Sequence, residues 1–193
     1  VALHVGFPGV EERMSEGRAV IDSIQGEYRR YKILGEKTID QLSQEELVVH
    51  GSPESLSISQ IVWHIAGNLQ SRFTDFLASD GEKPWRNRET EFDERSVGRD
   101  ELVEKWEAGW KALFDALAPL TDADLTRTVT IRDQPLSVGD ALLRSVTHVS
   151  YHIGQMTYVG KMLKGEEWHY LSIPPGGSAA YNASPTLEKS PGR

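Results

Sequence analysis

Of the six histidines in this 193-residue chain, which has no cysteine, His64, His148 and His152 are the strongest candidates for chemistry, while His4, His50 and His169 lie in termini or loops where nothing in their spacing recruits them. Without thiols there are no disulfides, thiolate zinc sites, iron–sulfur clusters or cysteine nucleophile, so any metal must be held by imidazole and carboxylate. His148 and His152 stand four residues apart in a stretch with helical periodicity. Their rings therefore project from one face about one turn apart and can converge on a single ion. His64 lies in Trp63-His64-Ile65-Ala66-Gly67-Asn68, in the middle of another helical stretch. One histidine from one helix and two from a facing helix is how bundles build interior metal sites. Three imidazoles leave a coordination position for water or substrate. A half-buried histidine also serves simply by hydrogen-bonding a carbonyl or hydroxyl, and periodicity alone leaves both roles open.

The same geometry points to neighbours. Asn68 follows His64 by four residues and Arg72 follows Asn68 by four, so the three share a face. Tyr151 adjoins His152, and Gln155 lies three residues beyond it. Asn68 or Gln155 would orient a histidine or a bound water, and Arg72 would hold an anionic substrate group. The plainer alternatives are that Asn68 bridges helices and that Arg72 pairs at the surface with Asp75, Asp80 or Glu82, the preferred reading for Arg72. Trp106 and Trp110 read as a core stripe, and Trp85-Arg86-Asn87-Arg88 as a lid over the metal or a dimer contact. No residue is singled out as catalytic. There is no Gly-rich phosphate loop, Gly-x-Ser-x-Gly elbow or EF-hand pattern, and the paired Glu-x-x-His motifs of a di-iron bundle core are missing, since Glu166 and Glu167 precede His169 only at the end of the bundle.

The elements that must position these residues follow from apolar periodicity, which predicts an all-α chain with four long helices. The first runs from about Glu11 to Leu42. The second runs from Ile58 to Ala78, with Ser57 and Gln60 as a capping box. The third spans Arg99 to Leu117. The fourth, capped by Ser137 with Asp140 in its first turn, continues to about Leu163. Between the second and third lies a polar connection whose Trp85 and Phe92 are expected to pack on the bundle. Thr126 to Ile131 alternates and is β-branched, so a short extended piece is expected there. The length fits a single domain over 1–193, with a bundle core at about 11–170 and an extended or disordered tail at 171–193. With 21 Lys and Arg against 29 Asp and Glu, the net charge is −8, which weighs against nucleic acid as a partner. No apolar run approaches a bilayer span, so no membrane association is expected, and the first residues do not read as a signal peptide. A cytoplasmic location is the expectation.

A histidine in the second helix, followed some eighty residues later by His148-Val149-Ser150-Tyr151-His152-Ile153-Gly154-Gln155, resembles the DinB-like superfamily. GNLQSRFTDFLASDGEKPWRNRETEF and WHYLSIPPGGSAAYN look like an uncharacterised branch of it, and the likeness runs from about Glu11 to Asn182. The resemblance implies a four-helix bundle of DinB-like type with long connections and an extended C-terminal arm. It implies a divalent metal, nickel or zinc, on His64, His148 and His152, and a homodimer. For activity it implies a thiol-dependent transferase or a hydrolase acting on a small molecule. Because the chain has no cysteine, a nucleophilic thiol would arrive as a low-molecular-weight cosubstrate. The alternative is a non-enzymatic, stress-associated or ligand-binding bundle whose histidines are structural or bind metal without turnover.

Overall fold

The computed structural model describes residues 17–186. Its frame is four long helices, α1 (Ala19–Asp40), α2 (Ile58–Phe73), α3 (Arg99–Leu117) and α4 (Val138–Lys164). They pack chiefly as two pairs, α2 with α3 and α1 with α4. A two-stranded antiparallel hairpin, β1 (Thr128–Ile131) and β2 (Gln134–Ser137), precedes α4, and a short helix, α5 (Ser178–Asn182), lies near the end. The all-α bundle expected from periodicity is therefore present. Among the described residues, no helix is long and apolar enough to cross a membrane.

Helix α2 is the inner member of the bundle. Twelve of its sixteen residues are buried, among them Ile58, Ile61, Val62, Ile65 and Leu69, as befits a helix covered on most sides. Ser57 caps it with the full capping box: its hydroxyl accepts from the Gln60 backbone N–H, and the Gln60 side chain accepts from the Ser57 N–H. Gly109 of α3 lets the two backbones meet, since a β-carbon there would stand 2.6 Å from the Ala66 Cα. Trp106 and Trp110 fill the core beside this contact, 5.3 Å apart edge to face, so their stripe is structural.

Several boundaries differ from the periodicity. Helix α1 begins at Ala19, after Gly17 in the left-handed region (φ +79°). The Asp122 carboxylate accepts from the N–H groups of Val20 and Ile21, capping the helix from a distant segment. The expected residues 11–16 lie outside the described part. Helix α2 stops at Phe73, not Ala78, because Thr74 is extended and Asp75 has φ +50°. Phe76 and Leu77 still pack on the core from this turn, which is why their spacing imitated a longer helix. The extended piece at 126–131 has a partner strand that sequence reading missed. Its two-residue turn, Arg132-Asp133, has both φ angles positive, at 55° and 60°, a hairpin geometry that favours Asn-Gly or Asp-Gly. The described part of the tail is not wholly extended, since it includes α5.

Candidate metal centre and its cavity

His64, buried in the middle of α2, faces the two α4 histidines. Its Nε2 lies 3.1 Å from the His148 Nε2, and ring centroids are 4.7 Å apart for His64 and His152 and 4.6 Å for His148 and His152. Each histidine offers a nitrogen within 4.8 Å of those of the other two, and His64 and His152 are 4% and 8% exposed. Position in the fold explains the meeting. The i,i+4 pair shares the inner face of α4, and α2 is buried nearly all round, so a mid-helix side chain on it has only the interior to enter.

Two of the rings are held from behind. His64 Nδ1 is 2.9 Å from the Glu91 carboxylate, and Glu91 in turn accepts from Arg86 Nε and Nη2 at 2.8 and 2.9 Å. Glu91 sits in a short 3-10 turn (Glu89–Phe92) of the polar connection. It reaches His64 only because residue 67 is glycine: a β-carbon at Gly67 would stand 2.2 Å from Glu91 Oε1. Burial opposes ionisation of Glu91, but the hydrogen bonds from His64 and Arg86 outweigh it and hold the carboxyl below its ordinary value. His152 Nδ1 is 2.7 Å from Gln155 Oε1, and Gln155 Nε2 donates to the Tyr151 hydroxyl. A carboxylate and an amide oxygen at these Nδ1 atoms fix a proton there, which leaves both Nε2 atoms able to coordinate. His148 has no such brace, and its Nδ1 is buried without a partner among the described residues. Burial, then the neighbouring His152 and His64, pushes His148 down to about 3; burial and His64 push His152 down to about 4. Both therefore stay neutral at ordinary pH, the form that ligates metal.

A cavity of about 220 Å³ opens beside this cluster, with His64 and His148 in its wall. Asn68 and Arg72, expected on the His64 face, line it too. Arg72 also meets the plainer expectation, for both terminal nitrogens lie 3.2 Å from Glu82 Oε2. Tyr151 is 64% exposed and lies outside that wall; it touches the cluster through Gln155 and by an edge-to-face contact with His152, ring centroids 5.0 Å apart. His50 pairs with Glu94, and the His169 N–H donates to Gln41 Oε1; neither joins the cluster, and His4 lies outside the described residues. Within the expected lid, Arg86 is an interior strut whose side chain is 2% exposed, while Trp85 is 56% exposed and does not pack on the bundle as expected. Phe92 does pack inward, its ring centroid 4.9 Å from that of His64. Glu91 was missed as a site residue, because nothing local in the sequence ties it to a histidine 27 residues upstream, and Arg86 was expected only as part of a lid or dimer contact.

The donor set suits a divalent ion. Zinc–nitrogen bonds of about 2.0–2.1 Å in a tetrahedral arrangement place two ligating nitrogens roughly 3.3 Å apart, close to the 3.1 Å between the two Nε2 atoms. With the His64 proton on Nδ1, a neutral His148 either carries its proton on Nε2 and donates it to His64, or carries it on Nδ1 and leaves two facing lone pairs for a cation. Three converging histidines, two buried and one half-buried, are thus able to hold a metal ion.

A helical bundle with this site at its centre is a DinB-like protein in fold. It resembles the crystal structure of a DinB-like protein from Bacillus cereus (TM-score 0.57, 19% identity, 74% of this chain and 92% of that one). It also resembles a conserved protein from Enterococcus faecalis (TM-score 0.59, 18% identity, 76% of this chain and 98% of that one). The chain belongs to the DUF1572 family, described as proteins of unknown function, whose model matches residues 15–177. No curated protein matches it.

Proposed function

We propose that this chain is a divalent-metal-dependent enzyme, with nickel or zinc on His64, His148 and His152 and a small-molecule substrate in the adjoining cavity. The observation that carries the reading is the convergence of three imidazoles, two of them braced at Nδ1 by Glu91 and Gln155 so that Nε2 remains free to bind. An ion held there would supply Lewis acidity and raise the share of anionic nucleophile near neutral pH. The chain's own residues would do the positioning. Glu91 keeps the His64 proton on Nδ1, Arg86 keeps Glu91 ionised, and Phe92 covers the His64 ring. The reaction belongs to the thiol-dependent transferase or hydrolase class, and a thiol would come with a cosubstrate because the chain contains no cysteine. Homodimerisation and a cytoplasmic location are part of the same proposal. Light scattering at twice the 21.6 kDa chain mass would support the dimer, and scattering at the chain mass would remove it.

Elemental analysis of the dialysed protein tests the centre, beside a His148→Ala/His152→Ala control whose helicity is checked by circular dichroism. About one ion per chain, absent from the folded control, is the expected result. No ion, even after refolding with nickel or zinc, overturns the proposal.

A further inference from the structure

Five of the chain's thirteen arginines, Arg72, Arg86, Arg88, Arg132 and Arg144, line the cavity beside the histidines, and no carboxylate does. In a chain of net charge −8 this is a concentration against the overall balance. Glu89 serves Arg88 alone, but the other two carboxylates paired with these arginines are shared. Glu82 serves Arg72 and Arg132, and Glu91 serves Arg86 and His64. Two donors are left over. Glu91 takes Nε and Nη2 of Arg86, while Nη1 is buried with no partner. The Arg144 side chain has no hydrogen bond or ion pair among the described residues. An interior guanidinium nitrogen without an acceptor is unfavourable, and so is cationic charge crowded into a part-buried wall. The crowding is felt at Arg72, whose pKa is lowered first by burial and further by Arg86 and Arg132, against the pull of Glu82.

We infer that this cavity binds the oxyanion head of a small molecule, a carboxylate or phosphate group, with Arg86 Nη1 and Arg144 as its main donors and the rest of the molecule lying toward His64 and His148. Guanidinium groups match the planar or tetrahedral oxygens of such a head and pair with them strongly. Phe73, Phe76, Val129 and Ile131 give the remaining wall an apolar surface, which suits a short carbon skeleton behind the head. The volume, about 220 Å³, is below the roughly 300–1,000 Å³ of drug-sized pockets, so the molecule is small. In treating the bound molecule as substrate, the inference rests on the metal-enzyme reading; the oxyanion binding itself is separable from it.

Calorimetric titration of the full chain in chloride-free buffer tests it, with inorganic phosphate and butyrate as the two probes. Chelator-dialysed protein is compared with zinc-loaded protein. Saturable binding of one probe to the metal-free protein is expected, and which probe saturates identifies the head group. Arg144→Gln, at an exposed position that the fold does not use, should weaken that binding about tenfold or more. Arg86→Lys, which keeps the charge and loses the fork, should weaken it too. Lys111→Gln, a surface cation paired with Asp115 away from the cavity, should leave it unchanged. No saturation by either probe up to about 10 mM, or affinities that Arg144→Gln and Arg86→Lys leave alone, overturns the inference. Zinc stoichiometry is read on the same samples. Zinc bound without anion removes only the oxyanion site, and anion bound without zinc removes only the metal centre.

Discussion

Two regions build the candidate site by different physics. Helices α2 and α4, one from each packed pair, deliver the three histidines, and their positions come from continuous backbone hydrogen bonding and a close-packed core. The connection at 74–98 delivers Arg86 and Glu91 with no more regular structure than one 3-10 turn. Its precision comes instead from buried polar contacts: Glu91 between His64 and Arg86, and Lys83 donating to Ser79 Oγ at 2.6 Å and the Asp80 carbonyl at 2.5 Å. Packing sets where the donors stand, and charge sets how they are oriented. Damage to the first region is therefore expected to be global, and damage to the second local.

The largest effect is expected from Trp106→Ala in the helical region, which empties a fully buried position next to Gly35. It should cost about 3–5 kcal/mol in urea denaturation, while protein that remains folded keeps its metal stoichiometry. A selective loss of metal with little loss of stability would erase the distinction between the regions. Glu91→Gln acts on the connection. It should lower metal affinity about 10–100-fold by competition titration, with a much smaller change in the unfolding midpoint than Trp106→Ala. Gln155→Ala removes the weaker, neutral brace on His152, and a loss near the lower end of that range, about tenfold, is expected. If its loss exceeded that of Glu91→Gln, charge would not be the feature that matters.

The smallest effect concerns pH at the seam between connection and hairpin. Asp80 accepts from the N–H groups of Glu82, Asp133 and Arg132, at 2.6, 2.9 and 2.9 Å, and these bonds hold its carboxyl well below the ordinary carboxylate range. A group whose pKa is depressed by folding contributes stability above its unfolded value, about 3.9, and that contribution is lost as pH falls toward the folded value. The midpoint difference between the native chain and Asp80→Asn should thus be full at pH 6 to 7 and shrink below about pH 4. A difference that persists undiminished at pH 3 would show that Asp80 acts through shape and not through charge.

The same division explains what the sequence disclosed. Helix α3 was legible to its ends because Leu102, Trp106, Trp110, Leu113 and Leu117 repeat on one face, and Pro119 follows. The Ser57–Gln60 and Ser137–Asp140 caps are local patterns, and so is the His148–His152 pair. The overrun of α2 past Phe73 arose because Phe76 and Leu77 are apolar at helical spacing while Asp75 turns the chain. Glu91 had no signature, since its role depends on a long-range approach admitted by one missing methyl at Gly67. The strand β2 was hidden by a turn of Arg and Asp, residues that carry little hairpin signal.

The pairing of His64 with Glu91 spans 27 residues, whereas its meeting with His148 spans 84. Loop-closure entropy makes the longer contact costlier by about 1 kcal/mol, and α2 and α3 already form a closely packed pair on either side of the connection that carries Glu91. The site is therefore expected to assemble in two stages as the chain folds: His64, Glu91 and Arg86 come together within the first pair, and α4 then brings the remaining two imidazoles to a prepared surface. Pulse-labelled hydrogen exchange should find amides of α2 and α3 protected earlier than those around His148 and His152, and simultaneous protection of all three helices would contradict that order.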